Sequence, residues 1–179
     1  AGFNSWSELN ELRVVNDNQA KTLTNSHRKE DFWKVIKQKP DLFTYKNRNG
    51  DSIHGYMMLP PNRDKSKPTP VFFYVYGGPL GTGKSVEDGA FNSTAYLFAM
   101  YLTHVLGYIT VTIDPRGQSG YSAAFGNANW DQPGKAQTED MVDCVKWLES
   151  QFAIDRTRVG LNGWSFGGFQ TQHAMYNAP

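Results

Sequence analysis

The stretch VGLNGWSFGGFQT, residues 159–171, contains the strongest structural signal in the sequence. A strand-like apolar start runs into a glycine-rich turn and then into residues that favour a helix. Residues 163–167, GWSFG, fit the pattern G-x-S-x-G, in which a serine occupies a strained strand-to-helix turn. Glycines two positions on either side of the serine let the neighbouring backbones pass closely. This placement predicts that Ser165 presents its hydroxyl above a sheet as a nucleophile.

The same turn would place a backbone donor beside the serine. The amide of Phe166 stands at the N-terminus of the predicted helix, where it would point at the negative charge developing on a substrate carbonyl oxygen. The alternative is a glycine-rich turn with an incidental serine. The position between a predicted strand and a predicted helix, together with the additional Gly168, favours the nucleophile.

Strand-like and helix-like segments alternate before this turn. The apolar run at 71–76 has no alternation and is typical of a strand buried on both faces. Gly107 is a predicted helix stop, and Asp114 ends the following strand. The predicted elements are a strand at Val71–Tyr76, a helix at Thr94–Leu106, a strand at Tyr108–Ile113, a helix from Thr138 and a strand at Arg158–Asn162. This order predicts an α/β fold with a mostly parallel sheet and helices on both faces.

The helix before the last strand has a predicted start and a predicted buried face. Thr138 is the expected N-cap, because Glu139 and Asp140 would then lie in the first turn, where the helix dipole favours acids. Apolar residues follow at helical spacing: Met141, Cys144, Val145, Leu148 and Phe152. They predict one apolar stripe that faces the core.

The N-terminal part differs in pattern. Residues 1–28 contain two strand-like pieces, Glu11–Val15 and Lys21–Thr24, which predict a β-hairpin around the turn NDNQ. A lone hairpin is marginally stable in water, so we expect it to belong to a larger sheet. Residues 29–41 are mixed and charged, and predict a connector with helical character that ends at Pro40.

From residue 42 onward the sequence favours one α/β domain, 42–179. It opens with a strand, an Asn-Gly turn at Asn49–Gly50 and a second strand closed by Pro60–Pro61. If this hairpin supplies the first two strands, Val71–Tyr76 is the third. In a G-x-S-x-G hydrolase, the second oxyanion donor comes from the loop after the third strand, so the hydroxyl of Tyr76 is a candidate.

The composition describes an ordinary globular protein. The 179 residues are 39% apolar and 14% aromatic, and the net charge is +1 with scattered charges. No basic stripe indicates nucleic-acid binding, and no apolar run approaches the roughly 20 residues of a membrane span. The single cysteine, Cys144, excludes a disulfide within the chain.

A second motif favours a different class of protein. In VYGGPLGTGKS, residues 75–85, the letters from Gly78 fit G-x-x-x-x-G-K-[ST], the phosphate-binding loop of nucleotide hydrolases. A predicted strand precedes it, and Asp114 at the end of a later strand could help to hold magnesium.

The residues after the motif argue against phosphate binding. A phosphate-binding loop needs a helix that begins at its Lys-Ser pair, here Lys84 and Ser85. Gly89 interrupts any such helix, and Glu87 and Asp88 would repel phosphates. We therefore expect Lys84 and Ser85 to be solvated loop residues.

Three ordered motifs resemble the prolyl oligopeptidase family of serine peptidases. They are VYGGP at 75–79, DPRGQSGY at 114–121 and GWSFGGF at 163–169. Tyr76 before Gly-Gly-Pro looks most like the dipeptidyl peptidase IV branch, whereas DPRGQSGY is also close to the acylaminoacyl peptidase branch. Both branches stay open. The resemblance implies an α/β-hydrolase fold over 42–179, and the hairpin at 1–28 is similar to the last blade of the β-propeller that precedes this domain.

The resemblance also implies roles for individual residues. Ser165 would be the nucleophile, and Tyr76 and the Phe166 amide would form the oxyanion hole. Phe166 stands where dipeptidyl peptidases often have tyrosine, a change that a backbone donor tolerates. We expect Asp114 and Arg116 to fix a loop rather than to act in catalysis. The family implies cleavage of short peptides after proline or alanine, no metal or organic cofactor, and a homodimer.

The catalytic acid and base are missing from the sequence. In this fold the triad follows the order Ser, Asp, His, but the fourteen residues after Ser165 contain no acid and one histidine, His173. His173 lies two helical turns beyond Ser165, and we expect it to be directed away from the hydroxyl. His27, His54 and His104 precede the nucleophile, and no triad role is predicted for them.

We therefore expect the chain to be a C-terminally truncated part of a catalytic domain, which contains the sheet only as far as the nucleophile turn. By itself it should have negligible peptidase activity. The sequence alone also leaves open a carboxylesterase of the same fold, a nucleotide hydrolase and a non-catalytic binding relative.

Overall fold

The N-terminal residues form a small antiparallel sheet. The computed structural model describes residues 2–6, 8–16, 19–25, 39–78, 83–87 and 94–179. Strands β1 (Gly2–Ser5), β2 (Glu8–Asn16) and β3 (Gln19–Thr22) pair in the order β1-β2-β3. The predicted hairpin is confirmed as β2 and β3, and β1 was not predicted. Its assignment to a propeller blade stays a prediction, and most of the predicted connector lies outside the described residues.

A five-stranded mixed sheet forms the centre of the larger part. Its strands are β4 (Asp41–Lys46), β5 (Ser52–Met58), β6 (Thr69–Val75), β7 (Ile109–Asp114) and β8 (Ile154–Gly163), in the order β4-β5-β7-β6-β8. Strands β4, β5 and β7 pair antiparallel, and β6 runs parallel to both β7 and β8. The carboxyl ends of the three parallel strands therefore lie at one edge, where α/β folds place their sites.

Four α-helices are described in this part. They are α1 (Thr94–His104), α2 (Ala123–Gly126), α3 (Lys135–Gln151) and α4 (Phe166–Asn177). Helix α1 ends two residues earlier than predicted, and Gly107, with φ +75°, stops it as expected. Among the described residues, no helix has the length and apolar character needed to cross a membrane.

Burial follows the sheet order. All six residues of β7, between β5 and β6, are buried, as a two-faced core strand requires. In β6 the burial alternates: Val71, Phe73 and Val75 are buried, whereas Phe72 and Tyr74 are half-buried. The prediction that β6 is buried on both faces is therefore confirmed for one face, whereas the other face is only half-buried.

The predicted stripe of α3 packs on the sheet. Met141, Cys144 and Leu148 are buried in the main core with Phe73, while Val145 is half-buried beside them. A second cluster joins the N-terminal sheet to the rest: the Trp6 ring lies 4.8 Å from the ring of Tyr56. The hydroxyl of Tyr96 also donates to the Trp6 carbonyl at 2.9 Å.

The predicted start of α3 is wrong. The helix begins at Lys135, with Gly134 at the N-cap in a left-handed conformation, φ +93°, so Thr138 lies one turn inside. The Thr138 hydroxyl is used by another helix: it accepts from Gln170 Nε2 at 2.8 Å. Asp140 is likewise buried by a tertiary contact rather than placed at a helix start. Packing between helices thus overrides a local capping signal.

Strand β8 lies at the edge of the described sheet. It begins four residues earlier than predicted, and Val159 is 37% exposed. Beside it, an open and largely apolar groove of about 700 Å³ is lined by residues of β8, α3 and α4. The described sheet therefore ends at β8 beside this groove.

Candidate active site

Ser165 occupies a strained turn between β8 and α4. Its φ of +56° and ψ of −118° are unusual for a residue with a side chain, and it stands at the N-cap of α4. The residue is exposed, and no side chain of the described residues hydrogen-bonds to its hydroxyl. The turn therefore has the geometry that the G-x-S-x-G pattern predicts.

Two glycines of the turn are required because backbones meet there. A Cβ at Gly163 would clash with the Gly167 backbone and lie 2.6 Å from the Val75 carbonyl oxygen. A Cβ at Gly167 would overlap the same Val75 oxygen. Gly168 is different, since its Cβ would find only an ordinary contact, 3.5 Å from the Gly163 oxygen. The additional glycine of the motif, Gly168, is therefore not required sterically.

The loop after β6 brings Tyr76 to this turn. The position of a Cβ at Gly167 lies 3.2 Å from the Cα of Tyr76, and the rings of Tyr76 and Phe166 are 6.5 Å apart. A Cβ at Gly78 would lie 2.5 Å from the Tyr76 ring, so the ring folds back over this glycine. The structure thus places Tyr76, Ser165 and Phe166 at the carboxyl ends of β6 and β8. Residues 79–82 lie outside the described residues.

One residue beside this loop was not predicted from the sequence. Gln137 of α3 is fully buried, and its Nε2 donates to the Gly77 carbonyl at 3.1 Å. Gly77 itself has φ +60°, and a side chain there would meet Gln137 and Pro115. A polar residue among apolar helix positions was the only available signal, and such residues are usually exposed.

Asp114 fixes the loops around the site. It is fully buried and accepts hydrogen bonds from the Ser85 amide at 3.1 Å, Gln118 Nε2 at 2.7 Å and the Tyr121 hydroxyl at 2.7 Å. Burial raises the pKa of Tyr121 well above its ordinary value, and the hydrogen bond to Asp114 adds to the shift. The carboxylate thereby joins the loop before α1 to the loop after β7, which is the structural role expected for it.

Arg116 holds the same loop to α3. Its backbone amide donates to Asp140 Oδ2 at 2.8 Å, and its Nε donates to Asp140 Oδ1 at 3.0 Å. Glu139 accepts from the guanidinium at 3.0 Å, and Asn47 Nδ2 donates to Asp140 at 2.9 Å. Burial raises the pKa of Asp140, while the hydrogen bonds from Arg116 oppose that shift. Arg116 is thus also engaged structurally, as expected.

The described part of the phosphate-loop motif is used for other contacts. Lys84 Nζ pairs with Glu87 at 2.7 Å and lies 5.4 Å from the Tyr121 ring centre. The Ser85 amide donates to Asp114 rather than facing a free anion site. Lys84 and Ser85 form part of a turn, and no helix begins at them. A phosphate cradle has no support among the described residues. Lys84 and Ser85 lie in a loop as expected, but both are half-buried and bonded to neighbours rather than fully solvated.

None of the described histidines hydrogen-bonds to Ser165. His173 Nδ1 bonds with the Thr138 hydroxyl at 2.9 Å, so this side chain joins α4 to α3. His54 Nδ1 bonds with Thr44 and its ring stacks on Tyr121. Burial lowers the pKa of His104, which lies at the end of α1. His27 falls outside the described residues.

Comparisons with known proteins give the same family as the motifs. Residues 91–179 match the prolyl oligopeptidase family. Dipeptidyl peptidase 8 of Mus musculus is 28% identical over 159 residues, which are 83% of this chain and 17% of that protein. Probable dipeptidyl-aminopeptidase B of Ajellomyces capsulatus (strain H88) is 34% identical over 130 residues, 73% of this chain and 14% of that protein. The chain thus spans less than a fifth of either relative.

Solved structures show the same fold. Acylaminoacyl peptidase in complex with Z-Gly-Gly-Phe-chloromethyl ketone superposes with a TM-score of 0.75 at 25% identity, over 97% of this chain and 26% of that one. The acylaminoacyl peptidase of Pyrococcus horikoshii gives a TM-score of 0.73 at 24% identity, over 97% and 27%. The α/β-hydrolase fold is thereby confirmed. The chain belongs to the prolyl oligopeptidase family of serine peptidases.

Proposed function

We propose that the full-length protein is a serine peptidase in which Ser165 attacks the substrate carbonyl. The observation that carries this proposal is the backbone of Ser165, φ +56° on an exposed turn between β8 and α4. Only surrounding contacts hold such a conformation, and the required Gly163 and Gly167 supply the space for it. The turn holds the hydroxyl at the edge of the sheet, ready for a base to remove its proton.

The oxyanion hole is formed by the Phe166 amide and the Tyr76 hydroxyl. The amides of Gly167 and Gly168 donate to the carbonyls of Trp164 and Ser165, whereas no described residue accepts from the Phe166 amide. This amide therefore stays available at the positive end of α4. The Tyr76 ring beside Phe166 supports the second donor. Both donors would stabilise the charge of the tetrahedral intermediate.

The base and its acid come from residues of the full-length protein outside this chain. No described histidine hydrogen-bonds to Ser165, and the chain spans only 14% and 17% of the two relatives. In the reaction, the base takes the Ser165 proton as the acyl bond forms and gives it to the leaving amine; water then releases the acyl group. Without the base, the isolated chain keeps at most a residual acceleration, about 10³-fold over water.

The substrates are short peptides, with proline or alanine before the cleaved bond. The names of the relatives, a dipeptidyl peptidase and a dipeptidyl-aminopeptidase, support short peptides as substrates, whereas the preference for proline or alanine is implied by the family resemblance alone. The homodimer implied by the family stays a prediction. A carboxylesterase would use the same Ser165 and differs only in preferring an ester bond.

The test compares substrates and variants of the full-length protein. We expect a fluorophosphonate to label Ser165, and Ser165→Ala to abolish both labelling and hydrolysis of Ala-Pro p-nitroanilide. Faster turnover of a p-nitrophenyl ester with no cleavage of the anilide would favour an esterase. Absence of labelling in the folded protein would favour a non-catalytic relative. ATP binding that is lost in Lys84→Ala would favour a nucleotide hydrolase.

A further inference from the structure

The side-chain amide of Gln137 connects two loops at the carboxyl edge of the sheet. Its Nε2 donates to the Gly77 carbonyl at 3.1 Å and also to Asn129 Oδ1. Asn129 Nδ2 in turn donates to the Gly117 carbonyl at 3.0 Å. Gly77 directly follows Tyr76 in the loop after β6, and Gly117 lies in the loop after β7. One buried amide thus joins both loops to α3.

The orientation of this amide follows from its neighbours. Because Asn129 gives its NH₂ group to the Gly117 carbonyl, its oxygen must face Gln137. The Gly77 carbonyl is also an acceptor, so the NH₂ group of Gln137 must point at both oxygens. The two N–H bonds are then fully used, while Oε1 has no hydrogen-bond partner among the described residues. Rotating the amide would bring three acceptor oxygens together.

Among the described residues, Gln137 is the one donor to the Gly77 carbonyl. Gln137 is 0% exposed, so water cannot replace its amide. A Cβ at Gly77 would lie 3.1 Å from Gln137 Cγ, and one at Gly117 would lie 2.6 Å from Gln137 Nε2. Glycines at both positions therefore let the two loops close on this side chain.

We propose that Gln137 is a positioning residue that fixes the Tyr76 loop for oxyanion stabilisation. This inference rests on the proposed function, since it acts through the Tyr76 hydroxyl. A buried carbonyl without its donor costs free energy, and the loop would rotate to find another partner. Such a rotation at Gly77 moves the adjacent Tyr76 away from the oxyanion, where displacements of about 1 Å lower rates strongly.

The chain provides a matched control for a purely structural glutamine. Gln170 of α4 is 1% exposed, and its Nε2 donates to the Gly134 carbonyl at 3.2 Å and to the Thr138 hydroxyl at 2.8 Å. Its Oε1 also has no partner among the described residues. It makes no hydrogen bond to the Tyr76 loop. Methionine at either position keeps the length of the side chain and removes the donor.

The experiment measures kcat, KM and thermal unfolding on the full-length protein with an Ala-Pro anilide. Gln137→Met is expected to lower kcat about tenfold and to change KM by less than about twofold. Both Gln137→Met and Gln170→Met should lower the melting temperature by similar amounts, but Gln170→Met should leave kcat unchanged. In a Tyr76→Phe background, Gln137→Met should lower kcat by less than about twofold, because the hydroxyl that Gln137 positions is absent.

Each other outcome overturns the inference. An equal kcat loss with and without the Tyr76 hydroxyl, or the same loss in Gln170→Met, would show a general packing effect. If Gln137→Met does not fold, Asn129→Ala, at a half-buried position, replaces it as the test. This variant is expected to lower kcat about threefold, and only when Tyr76 is present. An unchanged kcat in Asn129→Ala would refute the inference. If Tyr76→Phe itself has no effect, the proposed oxyanion hole fails first. If Tyr76→Phe lowers kcat but the Gln137 and Asn129 variants do not, the proposed oxyanion hole is kept and the positioning role of Gln137 is refuted.

Discussion

Replacing either of two adjacent glycines of α4 should have opposite effects. A Cβ at Gly167 would overlap the Val75 carbonyl oxygen and lie 3.2 Å from the Cα of Tyr76. These are backbone atoms, which cannot rotate away as a side chain can. Gly167→Ala must therefore push the start of α4 from β6 by on the order of 1 Å, at a cost of about 1–3 kcal/mol. A shift of that size beside Ser165 should lower the reaction rate about 100-fold.

Gly168→Ala is the matched control on the same helix. Its Cβ would lie 3.5 Å from the Gly163 oxygen, an ordinary contact, so alanine should stabilise the helix by about 0.5–1 kcal/mol. The assay is the rate of fluorophosphonate labelling of Ser165 in the full-length protein, with circular dichroism to confirm folding. Normal labelling of Gly167→Ala, or equal damage in Gly168→Ala, would refute the steric account of the turn.

Three further predictions concern stability. Arg116→Met leaves the buried Asp140 without its cation and should lower the free energy of unfolding by about 3–5 kcal/mol; thermal unfolding should show partial recovery when Asp140→Asn is added. Burial raises the pKa of Tyr56 to about 12 from 10.0, so the folded state binds this proton more tightly. Stability should be kept below pH 10 and fall between pH 10 and about 12, and alkaline unfolding of Tyr56→Phe should lack this loss. Trp6→Ala should release the N-terminal sheet at a cost of about 1–3 kcal/mol and speed limited proteolysis there, unlike Trp130→Ala at a 79% exposed position.

The sequence predicted the elements whose causes are local. The turn at Ser165 could be foreseen because its glycines are set mostly by contacts within one strand-turn-helix unit, with Val75 and Tyr76 as the distant neighbours. The Asn47–Gly50 turn and the stripe of α3 likewise follow from short-range chemistry and helical period. In the candidate site, the roles of Ser165 and Phe166 could be predicted from this local motif.

The failures involve residues whose partners are far along the chain. Thr138 resembles a helix cap, but its hydroxyl is used by Gln170 from another helix. Gln137 gave no functional signal, because its role depends on Gly77, 60 residues away. Lys84 matched a phosphate loop by letters, whereas Glu87 neutralises it. The role of Tyr76 needed the family resemblance, since a tyrosine after a strand has no specific pattern of its own.

The order of the sheet has a consequence during synthesis. Strand β6 pairs only with β7 and β8, which both follow it in the chain, while β4 and β5 can pair at once. About 90 residues separate the end of β6 from the end of β8. At ribosomal rates this takes roughly 5 to 20 seconds, during which the apolar segment around Phe73 lacks a partner on one side. A nascent chain stalled in this interval should bind chaperones through this strand and aggregate when they are withdrawn.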